Sequence, residues 1–453
     1  MVSAVPRIKF PAAPLVALAS CIAAACTAPT ALAQVRSPTT QAVGSGPELR
    51  PPQPAEAEEV PVQRDQAPGM PLEEFISLAL SNSPNLREAA SQAAAARGRA
   101  HQAGIYPNPQ FGAASPQLAG SQSQYDAFMS IDVITKGKLG LDSDAQWRSA
   151  RQAELMFVRV RFDVLTTVRQ RFYTALAAQR RVEVLDGLAK IAGQSRDVGQ
   201  RLLKGGQAAR TDTLLLDIEF DRAEVARENA LTVLEAGKRQ LAAGVGLPEL
   251  SIERLAGDLE APTQDYDLIA VQLGVISRSA LARSAEVEIA RSRILLRRAE
   301  VEPFPNLNVM GGFQYQERGE GPNSQGMYQV TMSVPLWNRN QGNIRAAQAS
   351  VGTAVAQMGR VRSELANSAA DAAGRFIAAR QTVDRYRQNI LPKVRQSQRL
   401  VDELYRGGQF DSLNLLQSQR TNGEAQLEYI NAQERRWTAA AEVAGLLQSE
   451  TFP

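Results

Sequence analysis

From Asp142 to Lys204 the apolar residues Leu155, Val158, Phe162, Leu165, Val168, Phe172, Leu176, Val182, Leu185 and Leu188 follow mostly three- and four-residue steps. Such a seam is the signature of supercoiled helices. At 1.5 Å per residue, some 60 residues make a rod of about 90 Å. A second seam starts near Asn340 and runs through Ile344, Ala347, Val351, Ala354, Met358, Val361, Leu365, Ala372, Phe376, Val383, Tyr386 and Ile390. Pro392 interrupts it, and a proline inside a helix is expected to bend the rod; the pattern then resumes to Leu404. Each rod is followed by a return helix, the first from about Thr211 to Ala243 and the second through Leu416, Leu427, Ile430 and Trp437 to about Gln448.

Ahead of each rod the period changes to two. Tyr125, Ala127, Met129, Ile131 and Val133 alternate with Asp126, Phe128, Ser130 and Asp132, as on a half-buried strand. Gln110–Ala114 is a weaker strand, and residues 115–124 read as a loop. In the second half, Leu307, Val309, Gly311, Phe313 and Tyr315 form one alternating run, and Tyr328, Val330, Met332, Val334 and Leu336 form another. Residues 317–323 between them read as a turn-rich loop. Each strand pair is preceded by a helical stretch, from Pro71 to about Gly104 and from Asp267 to Glu300, and each stretch gives way to an aromatic-Pro-Asn step, Tyr106-Pro107-Asn108 and Phe304-Pro305-Asn306.

The two rod ends are near copies. Arg201-Leu202-Leu203-Lys204-Gly205-Gly206-Gln207 and Glu403-Leu404-Tyr405-Arg406-Gly407-Gly408-Gln409 share a constant offset, 407 − 205 = 202. A cation in the last turn suits the negative end of the helix dipole, and a glycine taking the left-handed conformation stops the helix. Both stretches therefore read as tips of αα-hairpins. The chain divides into a first repeat over 71–248 (strands about 108–134, helical hairpin about 142–244), a connector over 249–266, and a second repeat over 267–453 (strands about 306–336, helical hairpin about 340–448).

The N-terminal stretch adds a compartment. Arg7 and Lys9 precede an apolar run and Ala31-Leu32-Ala33, which reads as a signal peptide over 1–33 cleaved after Ala33. Leu18-Ala19-Ser20-Cys21 is a competing lipobox that would place a lipid on Cys21. Residues 34–70 are Pro- and Gln-rich and read as a flexible linker.

Composition removes several functions. With net charge +3 and no basic block, no nucleic-acid partner is expected. His101 is the single histidine, and both cysteines, Cys21 and Cys26, lie in the leader, so neither a metal site nor a cofactor is expected. Met310, Met327 and Met332 share no spacing and read as packing rather than copper ligands. None of the nucleophile-elbow, zinc-protease, phosphate-loop or dinucleotide fingerprints occurs, so no enzyme is expected.

No run beyond the leader reaches the 18 or so apolar residues of a membrane-spanning helix, so a membrane is crossed, if at all, by strands. Strands with one apolar and one polar face fit lipid on one side and water on the other. Open sheet edges are not tolerated in lipid, so four strands must close with those of other copies. Two copies give eight strands and three give twelve; eight leave an interior filled by side chains, and more open a channel.

The doubled strand–rod–tip layout, Gln102-Ala103-Gly104-Ile105-Tyr106-Pro107-Asn108-Pro109 and Val334-Pro335-Leu336-Trp337-Asn338-Arg339-Asn340-Gln341-Gly342 resemble the TolC-type outer-membrane factors of Gram-negative tripartite systems, and within them the outer-membrane component of Czc-type (cobalt-zinc-cadmium) cation efflux systems. The resemblance implies a mainly α fold with a transmembrane β part: a homotrimer whose twelve-stranded β-barrel continues into a periplasmic α-helical barrel. It implies an outer-membrane exit duct, in contact with outer-membrane lipid, served by a periplasmic adaptor and an inner-membrane pump of the resistance-nodulation-division class. A drug-efflux or type I secretion conduit shares this fold, whereas a periplasmic coiled-coil adaptor or a fibrous protein would lack the paired strands inside the helices.

The family's aperture carries carboxylates on the return helix after the second tip, and the matching Asn414 and Gln417 are neutral. Asp212 keeps its carboxylate after the first tip, and Asp411 lies slightly off register. Lys204, Gly205, Gly206, Arg406, Gly407 and Gly408 are the tip residues for adaptor docking. Tyr125, Phe313, Tyr315 and Tyr328 are candidates for aromatic girdles on the barrel.

Overall fold

The computed structural model of the chain describes residues 69–118, 123–206, 209–318, 321–406 and 412–452. The leader, Cys21 and most of the linker lie outside them. The last linker residue does not: Met70–Pro71 is a short strand, β1, in parallel pairing with Leu255–Ala256 of the connector.

The first repeat opens with two helices rather than one, α1 (Leu72–Asn82) and α2 (Pro84–Ala103). Ser83 between them has ψ 120°, because the residue before a proline is pushed out of the helical region. Pro84 then sits at the first helical position, where its missing N–H costs nothing. Strands β2 (Gln110–Gln117) and β3 (Gln124–Val133) follow. β2 runs beyond Ala114, through Pro116 to Gln117, which overturns the loop expected from Ser115; the register shifts between Ala114 and Gln117. Proline in a sheet is confined to edges and bulges, and this one sits at both. The rod, α3, spans Lys138–Lys204, 67 residues, and α4 (Arg210–Val245) returns; the connector then carries β4 (Leu255–Ala256).

The second repeat has the same plan. Its opening stretch is again broken, into α5 (Leu268–Arg278) and α6 (Ala280–Val301), here without a proline. The Ser279 hydroxyl accepts from the Leu281 and Ala282 N–H groups and caps α6. β5 (Leu307–Arg318) and β6 (Gly321–Met332) take in most of the residues expected as loop, and β6 ends before Val334 and Leu336. The second rod is α7 (Gln341–Arg385), one turn of π-helix (Tyr386–Ile390) and α8 (Leu391–Arg406); α9 (Ser412–Leu446) returns. The π turn explains how Pro392 is accommodated. The Leu391 N–H donates to the Tyr386 carbonyl five residues back, so the ladder has already widened where the ring enters.

Among the described residues, β2, β3, β5 and β6 form one antiparallel sheet in that order. The two hairpins join through β3 and β5, from Gln124↔Gln316 to Val133↔Leu307. In the helical part, α3 packs along α2, α4, α6 and α9, and α7 along α5, α6 and α9. Two cores result. One gathers Phe75, Phe172, Tyr173, Leu241 and Val245, and the other Tyr266, Val271, Val275, Phe376 and Val443.

Residues near the C-terminus tie the repeats together. Trp437 on α9 is 1% exposed, stacks on Tyr173 at 4.2 Å and donates to the Leu259 carbonyl at 2.9 Å. Phe452 packs beside both rings. Arg169, also 1% exposed, lies over the Phe452 ring and donates to the Ser449 and Glu450 carbonyls. Burial lowers the Arg169 pKa, and those carbonyls hold its guanidinium in place. Trp437→Ala is expected to cost about 3–5 kcal/mol, the range for a fully buried aromatic, and to lower the thermal midpoint of the helical circular-dichroism signal. Trp337→Ala, at a position 87% exposed, is expected to leave that midpoint unchanged.

Candidate functional site

The sheet has two faces of opposite chemistry, set by the alternation along each strand. One carries Phe111, Tyr125, Met129, Val309, Phe313, Tyr315, Tyr328 and Val330, and these side chains are 40–90% exposed. Tyr125 and Tyr315 are directly paired, with ring centroids 6.5 Å apart. All four aromatics expected on the barrel surface therefore lie on one apolar face. The other face carries Asp126, Ser130, Asp132, Asn308, Gln314, Gln316, Gln329 and Thr331. Its polar groups bind one another: Asn308 Nδ2 donates to Asp132 Oδ1 at 2.7 Å, Gln124 Nε2 to Asp126 at 3.1 Å, and Gln329 Nε2 to Thr331 Oγ1 at 3.1 Å. Apart from Arg318 at the end of β5, these strands contain no Lys or Arg. Among the described residues, neither β2 nor β6 has a second partner, so both sheet edges present unpaired backbone.

The sheet is fixed to the rods by a corner that sequence reasoning missed. Lys138, at the start of α3, is 3% exposed and points its ammonium into the Phe304-Pro305-Asn306 step of the other repeat. It donates to the Phe304 carbonyl at 2.6 Å, the Glu302 carbonyl at 3.2 Å and Asn306 Oδ1 at 3.2 Å. The Thr135 hydroxyl donates to the Pro305 carbonyl, and Lys136 lies over the Phe304 ring. The aromatic-Pro-Asn motif was visible in the sequence; its receptor was a lysine 168 residues away along the chain. Beside it, the Arg298 guanidinium bonded to Glu302 holds that carboxyl below its usual range. A depressed carboxyl pKa stabilises the fold above its unfolded value, and that contribution fades as pH falls through the folded value.

At the first tip, Gly206 takes the left-handed conformation (φ 70°), while Gly205 has φ −80°. Their N–H groups donate to the Leu203 and Arg201 carbonyls, closing the end of α3 behind the exposed Lys204. Asp212 lies in the first turn of α4, where a carboxylate suits the helix dipole. At the second tip Arg406 ends α8, and Gly407, Gly408 and Asp411 lie outside the described residues. Asn414 and Gln417 are exposed on the first turns of α9.

The structure adds an ion pair here between Glu219 on α4 and Arg420 on α9. Glu219 is two helical turns beyond Asp212, and Arg420 is one turn beyond Gln417. The pair thus ties the two return helices on the faces that carry the aperture candidates. No local pattern announces it, because its partners are 201 residues apart. His101 is exposed on α2, and among the described residues no group of three or more His, Asp or Glu side chains is placed to hold a metal.

Gly206→Ala is expected to cost ~1–2 kcal/mol, the penalty for an L-residue in the left-handed region. Gly205→Ala, at a negative φ, escapes it. Hydrogen–deuterium exchange should show faster opening of the last turn of α3 in the first variant and not in the second.

Residues 275–448 match the family model of outer membrane efflux proteins. The chain is similar to the cobalt-zinc-cadmium resistance protein CzcC of Cupriavidus metallidurans, at 25% identity over 86% of this chain and 92% of that one. It is also similar to the nickel-cobalt-cadmium resistance protein NccC of Alcaligenes xylosoxydans xylosoxydans, at 25% identity over 70% and 72%. Its fold is that of the outer-membrane channel OprN, with a TM-score of 0.73 at 18% identity over 83% of this chain and 90% of that one. On these matches together with its doubled strand–rod–tip layout, the chain resembles outer membrane efflux proteins, with the family's model over residues 275–448 and the fold of an outer-membrane channel.

Proposed function

We propose that three copies of this chain close their sheets into a twelve-stranded barrel, continued by an α-helical barrel built from the rods and return helices. The observation that carries this reading is the four-stranded sheet with one apolar face, one polar face and two unpaired edges. In hydrocarbon each unpaired backbone group costs several kcal/mol, so β2 and β6 must pair with strands of other copies. Three copies, the number the family resemblance implies, give twelve strands, enough to leave a water-filled bore rather than a packed interior. Tyr125, Phe313, Tyr315 and Tyr328 then face lipid, and Asp126, Asp132 and the glutamines face water.

The cargo we infer is heavy-metal cations, handed on by a periplasmic adaptor and an inner-membrane pump. The chain's similarity to a cobalt-zinc-cadmium and a nickel-cobalt-cadmium resistance protein supports the cargo. So does the water-facing side of the sheet, with two carboxylates per copy and no cation on its strands but Arg318. The hairpin tips, with Lys204 at the first and Arg406 at the second, are the surfaces offered to the adaptor. Asp212, Asn414 and Gln417 line the periplasmic aperture in this reading, with the Glu219–Arg420 pair holding the two return helices of one copy together behind them. The duct is passive: no bond is made or broken along it.

Deletion of the gene is expected to sensitise the cell to one or more of zinc, cobalt, cadmium and nickel. Unchanged tolerance to every metal, with new sensitivity to hydrophobic drugs, would overturn the cargo. In planar bilayers the purified trimer is expected to favour cations, and the Asp126→Asn, Asp132→Asn double variant should move the reversal potential in a KCl gradient toward zero.

A further inference from the structure

The water-facing side of the sheet is mostly polar; Met310 stands among Gln110, Ser130 and Gln329 in one row, and the neighbouring row has no polar side chain at all. Gly112 on β2, Phe128 on β3, Gly312 on β5 and Met327 on β6 are directly paired neighbours. Two bulky apolar side chains therefore alternate with two positions that have none. Phe128 is half-buried, although it stands on the side of the sheet away from the lipid-facing aromatics. The reason is where its ring lies. A Cβ at Gly112 would fall 2.5 Å from Phe128 Cζ and 2.8 Å from Cε2, so the ring occupies the space a side chain at 112 would need.

The two glycines are not equivalent. At Gly312 an added Cβ would collide with the Ala127 carbonyl oxygen and the Phe128 backbone, so that glycine serves the strand pairing itself. At Gly112 the obstacle is the far end of a rotatable side chain. A substituent there leaves the ladder in place and displaces only the ring.

We propose that Gly112 and Phe128 set the bore of the barrel: the missing side chain at 112 lets the phenyl ring lie along the wall instead of projecting into the water. The inference rests on the reading of the polar face as the conduit wall. Each copy contributes one such pair, so any displacement is repeated around the lumen. The Phe128 ring also presents no oxygen, nitrogen or sulfur donor to a passing cation.

Poly(ethylene glycol)s of graded size, added only on the outer side of a bilayer holding the full-length trimer, report the barrel bore separately from the periplasmic aperture. Gly112→Val is expected to lower the largest polymer that enters and reduces current, and Phe128→Ala to raise it. The Gly112→Val, Phe128→Ala double variant should recover at least the native cut-off, because the ring to be displaced is gone. One cut-off shared by all four proteins, with currents intact, would overturn the inference while leaving the conduit standing. Should Gly112→Val fail to assemble, Phe128→Ala decides alone, and an unchanged cut-off there overturns it. No current from the native trimer would remove the conduit itself.

Discussion

Backbone N–H and C=O groups along a free strand edge need partners, and hydrocarbon offers none. That constraint governs this chain. Among the described residues, β2, β3, β5 and β6 are joined into one sheet through β3 and β5, with β2 and β6 left open at its edges. In the proposed assembly closure comes from other copies, with the apolar face of the sheet toward lipid and its polar face toward water. The two repeats make closure geometrically available. Each presents a hairpin at the head of a rod, and the β3–β5 junction inside the chain shows how two such hairpins pair.

The rods transmit that arrangement from the sheet to the tips. Lys138, buried against Phe304-Pro305-Asn306, fixes the corner where β3 becomes α3, and it does so with groups from the other repeat. A buried ammonium is tolerated only with its hydrogen-bonding capacity met, and two carbonyls and an amide oxygen meet it. Midway along, Arg169, Tyr173, Trp437 and Phe452 lock the C-terminal residues onto the first rod. The cross-repeat contacts named above are polar or aromatic and directional, whereas the seams along which each rod meets its neighbouring helices are rich in alanine and generic. Generic seams set parallel packing; directional contacts set which helix lies beside which.

The sheet and the hairpin tips differ in how their residues are held. On the sheet, Asp132 and Asn308 are cross-strand neighbours on paired backbone, so their positions follow from the ladder. Near the tips the return helices α4 and α9 are tied by the side-chain pair Glu219–Arg420, with Arg420 about half exposed. A pair of that kind contributes little in water. Rigidity thus lies in the sheet and the two cores, and the tips are the place where the fold has least to lose by moving.

Much of this was legible in the chain itself. Period two marked β3 and β5, three- and four-residue steps marked both rods, and duplication revealed that hairpin and rod form one unit used twice. These are local signals, because each depends on residues within a few positions of one another. Even there, an apolar period that runs on through Ser83 and Ser279 conceals the break of each opening helix, and Pro116 hides the end of β2. What only the tertiary structure decided is how the two repeats meet: the β3–β5 pairing, the Lys138 corner, the C-terminal lock and the Glu219–Arg420 tie. Their partners lie more than 160 residues apart, and hydrophobic period encodes which face of an element is buried, not which distant element will cover it.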